Sequence, residues 1–251
     1  MMPRKPFRQL SRLHGERGPD RIAAFSGQNT ATDAKRSIRR LAHGWTLTLD
    51  PGISEALATG FIRLAVRAVP SMMACQLGRC HISVVEKLGA GRLASQWTET
   101  GHRLEITVAA GPEERPHDQH DVTLELLLCL GQALWTKLNH SQRKSYWLLL
   151  DAEIGAGVAG EIDEVALKQK RLLLAGHYSA SSRRRLDLYG AASFAGTAAE
   201  YIHCLWHDVV VRSGRDFLPA PQLKRRLDLL SGWFPPAQGH PLFHEHPVNR
   251  R

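Results

Sequence analysis

The sequence predicts an α+β fold, and three observations carry the expectation. Apolar residues recur at helical spacing over 54–69, three segments between 80 and 111 alternate apolar and polar residues, and an apolar helical run over 122–138 opens a mainly helical remainder. Bulk composition is compatible: 43% hydrophobic and 23% charged residues exclude a disordered or coiled-coil chain. The 251 residues suffice to bury a sizeable core.

Residues 1–40 are rich in Arg, Lys, Gly and Ser and read as a basic amino-terminal arm, partly helical, with residues 41–251 expected as a single domain. The arm carries Arg4, Lys5, Arg8, Arg12, Lys35, Arg36, Arg39 and Arg40. With a net charge of +9, these residues imply at most weak, salt-sensitive, sequence-indifferent attraction to nucleic acid. The amino terminus has no continuous apolar segment of signal-peptide length, and no stretch has the roughly 18 uncharged apolar residues of a membrane span. Four cysteines without a dense framework, two of them in apolar helical patterns, fit a reduced compartment, so a cytoplasmic protein with no membrane partner is expected.

In SEALATGFIRLAVRAV, Ala56, Leu57, Phe61, Leu64, Ala65 and Ala68 share a helical face, and Pro70 ends the run. CHISVVEK, RLASQWTET and HRLEITVAAG read as three short antiparallel strands, broken at Gly89, Gly91 and Thr100-Gly101. GPEERPHDQH is a polar loop, after which Asp121 is the expected N-cap of a helix over 122–138. Further helices are expected around YWLLLDAEI, IDEVALKQKRLLLAG and ASFAGTAAEYIHCLWHDVVVRSG, the last closing on Gly214, and then in LPAPQLKRRLDLLSGWFP. The basic runs Arg183-Arg184-Arg185 and Lys224-Arg225-Arg226 read as solvated faces.

Within LELLLCLGQALW, Gly131 is the anomaly. A helical glycine costs about 1 kcal/mol relative to alanine, so a packing or functional reason is expected, either a close helix crossing or the remnant of a site. The element order, the strand LASQW before the apolar helix, the small residue at 131, a later helix with AAEY and a tail with LP and WFP together resemble the zincin metallopeptidases, in particular small gluzincin-type domains. The resemblance spans roughly residues 45–236 and implies a small mixed sheet packed on an active-site-type helix. In that family the helix carries His-Glu-x-x-His: two histidines at i and i+4 ligate zinc on one helix face, and the glutamate activates the bound water.

Aligned by its glycine, this chain has Leu128 at the first histidine, Cys129 at the glutamate and Gln132 at the second histidine, with Gly196 where a later helix would supply a carboxylate. Leucine cannot ligate zinc, a glutamine amide is a weak ligand, and a cysteine in an apolar helix is a poor general base. The resemblance therefore implies a pseudo-peptidase with no catalytic residue and no cofactor. Its expected role is to bind a protein or extended peptide along the edge strand Leu93, Ala94, Ser95, Gln96 and Trp97.

Two alternatives stay open. His203 and His207 have the i, i+4 spacing of metal ligands, with Glu200 one turn earlier, so an active zinc metallopeptidase could draw a rearranged ligand set from them. The basic arm makes nucleic-acid association the other. Cys75 and Cys80 beside His81 are spaced more loosely than a zinc hook, and His240, His244 and His246 sit among prolines in the tail.

Overall fold

The computed structural model describes residues 38–88, 94–111, 116–175, 180–207 and 214–237, so most of the basic arm and the tail histidines lie outside the described residues. Strands β1 (Arg39–Arg40), β2 (Thr46–Leu49), β3 (Arg79–Val85), β4 (Ser95–Thr100) and β5 (Arg103–Ala109) form one mixed sheet in the order β1-β2-β3-β5-β4. Arg39 and Arg40, assigned above to the arm, pair antiparallel with β2. β2, in the alternating stretch WTLTLD, escaped the sequence reading. β3 runs parallel to both β2 and β5, so only the β4–β5 hairpin meets the antiparallel expectation. The parallel pairs need crossovers, and periodicity alone carries no information about strand direction.

The sheet has two unlike faces. Leu47, Cys80, Ile82, Val84, Leu104, Ile106 and Val108 are buried on one. The other carries Thr46, Thr48, His81 and Ser83, whose side chains bond one another, Thr46 Oγ1 to His81 Nδ1 at 2.8 Å among them. Cys80 and His81 thus face opposite sides of β3 and Cys75 is exposed, so these three do not form a metal site.

Helix α1 (Arg63–Ala68) continues a π-helical turn, Leu57–Ile62, and α2 (Ser71–Leu77) follows Pro70. The apolar helix is α3 (Gln119–Lys137). It starts three residues earlier than expected, because the Asp118 carboxylate, not Asp121, caps it by accepting from the His120 N–H at 2.8 Å. It is buried nearly all round, as a helix between a sheet and other helices must be. Asn139 and Gln142 form a capping box for α4 (His140–Gly155), and Asp163 caps α5 (Glu164–Leu174). The long α6 (Ala180–Cys204) starts well before the expected segment and stops ten residues short of Gly214, and α7 (Ala220–Trp233) closes the described fold.

One buried polar network ties the helical half together. Arg226 of α7, fully buried, donates from Nε and Nη2 to the Glu153 carboxylate of α4 and from Nη1 to Glu161 Oε2 at 2.8 Å and Ser193 Oγ at 2.8 Å. Lys170 Nζ (3.1 Å) and the Tyr189 hydroxyl (2.5 Å) also donate to Glu161 Oε1. Two carboxylates against two cations leave the cluster neutral, the condition for burying charge at all. The run Lys224-Arg225-Arg226 is therefore solvated only in part: Lys224 and Arg225 are exposed and Arg226 is not.

Burial alone would raise the Glu161 carboxyl. The Arg226 charge and hydrogen bonds, with Lys170 and Tyr189, outweigh that and hold it below its ordinary value of 4.5. A carboxyl depressed in the folded state contributes stability that is fully present above the unfolded value and is lost as pH falls through the folded one. In urea unfolding, the stability difference between wild type and Glu161→Gln should be constant above pH 4.5 and shrink below it. A difference unchanged in acid would mean that the ionised carboxylate is not what stabilises the cluster.

Candidate functional site

The face of α3 beneath β4 is where the glycine-anchored alignment places its site. Side chains at Ser95, Trp97 and Glu99 point from β4 onto this helix, since alternate strand residues share a face. Each is tied to it: Ser95 Oγ donates to Glu125 Oε2 at 2.6 Å, the Trp97 indole N–H donates to Gln132 Oε1 at 3.0 Å, and Lys137 pairs with Glu99. Leu128 and Cys129 are buried between these ties. At 128, 129 and 132 there is thus a hydrocarbon, a buried thiol and an amide already bonded to an indole.

Gly131 answers to packing. A Cβ placed there would lie 2.7 Å from the carbonyl oxygen and 2.8 Å from the Cα of Ala195, so α3 and α6 cross with backbone against backbone. Gly196 follows directly on Ala195 in α6. A Cβ at 196 would meet Asp163 Oδ2 at 2.3 Å and Ile162, which sets this glycine against the cap of α5. A carboxylate at 196 would collide with Asp163 and could not serve as the later-helix ligand.

The edge strand is in place for Ala94 to Trp97, while Leu93 lies outside the described residues. β4 is the last strand of the sheet among the described residues. The Ala94 carbonyl accepts from the Ala109 N–H at 2.9 Å. By the alternation of an antiparallel pair, even-numbered residues then bond β5, and the N–H and C=O groups of Ser95, Trp97 and Glu99 point outward from the sheet.

At the far end of the α3–α6 crossing the structure joins His203 and His207 with His120 of the first turn of α3. Glu200 is not in this group among the described residues. It is half-buried beside Cys204, whose thiol burial, and then the Glu200 charge, push up to about 12. The sequence reading missed His120 because an N-cap at Asp121 left it in a loop; a cap at Asp118 puts it on the helix.

Comparison of the chain with protein-family models, with curated proteins and with solved structures finds no match. Among the described residues no single helix is long and apolar enough to cross a membrane.

Proposed function

We propose that this α+β domain is a degenerate relative of the zincin metallopeptidases that binds an extended peptide along β4 without cleaving it. The observation that carries the reading is the Trp97–Gln132 bond. It holds in one neutral contact the helix position that would ligate zinc and the strand along which a substrate would lie. A sheet of order β1-β2-β3-β5-β4 with its last strand antiparallel, crossed by α3, supports the same fold. Peptide added to such an edge gains main-chain hydrogen bonds, with side-chain pockets supplying selectivity.

The test uses the outward N–H of Glu99. Proline is tolerated on an edge strand where its missing N–H faces solvent. Glu99→Pro should therefore keep the fold and abolish binding of peptides selected against the wild type from a random extended-peptide library. Glu99→Ala loses the Lys137 ion pair but keeps the N–H, and should bind as before. Equal binding by the proline variant, or hydrolysis of a bound peptide by the wild type, would overturn the reading.

A further inference from the structure

The geometry points to a zinc site built from His120, His203 and His207, at the junction where α3 begins and α6 ends. It is independent of the peptide edge, lying at the other end of the helix crossing from Gln132. One ligand nitrogen from each ring lies within 4.8 Å of the other two. The tightest pair, His120 Nε2 and His207 Nε2, is 3.2 Å apart. Tetrahedral zinc with bonds of about 2.0–2.1 Å to imidazole sets its ligand nitrogens about 3.3–3.4 Å apart, so this pair needs almost no movement and the third ring closes by a side-chain adjustment.

Three further features fit an ion there. His203 and His207 are held one helical turn apart by the His207 N–H bond to the His203 carbonyl (3.0 Å), and their rings lie parallel within 10°. His120 stands edge-on to both, its ring centroid 5.2 Å from that of His203 and 4.5 Å from that of His207. The rings of Phe61 and Trp206 flank His120, with Trp206 stacked on it at 6.0 Å, so the site has an apolar wall while His207 stays exposed. Phe61 belongs to the π-helical turn, a departure from α geometry that recurs at functional sites.

The chemistry selects the ion. Three neutral imidazoles without a carboxylate or thiolate suit zinc and its late first-row neighbours over magnesium or calcium. Across the 3.2 Å contact one Nε2–H donates to the lone pair of the other ring, and for both Nε2 atoms to ligate the ion that hydrogen moves to Nδ1 of its own ring. Three protein ligands leave a fourth position for water, the pattern of open rather than closed zinc sites.

Calorimetric titration of Zn2+ into the full chain, purified without an affinity tag and stripped with chelator, tests the site. One ion per chain is expected, with a rise in unfolding temperature on loading. His120→Ala and His207→Ala should each lose the binding heat. Since His203 is embedded in α6, His207→Ala, at an exposed position, is the decisive variant, with circular dichroism to verify its fold. A triple variant with His240, His244 and His246 all changed to Ala should bind zinc as the wild type does. Failure of the wild type to bind zinc, retention of zinc by the His120→Ala, His207→Ala double variant, or loss of zinc in the tail variant would each overturn the proposal.

Discussion

Replacing Arg226 with alanine is expected to cost about 3–5 kcal/mol, the effect of removing one partner from a buried charge cluster. The substitution leaves the Glu153 and Glu161 carboxylates buried with only Lys170 as counterion, and Ser193 loses its donor. Hydrophobic loss adds to this, because the arginine stem is buried along with its head. Arg226→Lys keeps the charge but cannot bridge two carboxylates with a planar fork, so its loss should be intermediate. Urea denaturation of the two variants checks the order. A loss under about 1 kcal/mol for Arg226→Ala, the level of an exposed ion pair, would show that the cluster is hydrated in solution.

Gly131→Ala is expected to destabilise despite the better helix propensity of alanine. Propensity favours the variant by about 1 kcal/mol, whereas overpacking a well-filled contact costs about 1–3 kcal/mol. The atoms met at 2.7 and 2.8 Å are α6 backbone, which cannot rotate aside, so the clash falls in the upper part of that range, about 2–3 kcal/mol, and the net loss should be about 1–2 kcal/mol. Gly131→Leu, needing the helices to separate, should lose well over about 3 kcal/mol. Ala195→Gly should not rescue Gly131→Ala, since the obstruction is the Ala195 carbonyl and Cα rather than its methyl. Thermal unfolding of the single and double variants decides this. Rescue would mean that the helices meet through side chains.

The glycine that stood out in the sequence thus has a packing explanation that requires no ancestral metal. The peptide-edge proposal rests instead on what surrounds it, namely Gln132 bonded to Trp97 and the outward backbone of β4. Of the site features, the strand Ser95–Trp97 and the pair His203 and His207 were legible, the first by alternation and the second by i, i+4 spacing. His120 was not, although a cap at Asp118 would have set it on the first turn of α3.

Arg226 shows a different failure. Leu223, Arg226, Leu227 and Leu230 occupy i, i+3, i+4 and i+7 of α7, so the arginine holds an inward position that the basic run KRR disguised.

The sequence by itself determined the α+β class, the location of the apolar helix and the absence of ionisable side chains at 128 and 132, since periodicity and residue chemistry are local properties. Tertiary structure alone decided that β3 runs parallel to β5, that Gly196 meets Asp163, and that His120 joins two histidines more than eighty residues later, a separation of 87 for its partner His207. Strand direction, helix-crossing distance and the meeting of remote side chains are set by how the layers pack around one core, and no window of the sequence contains that information.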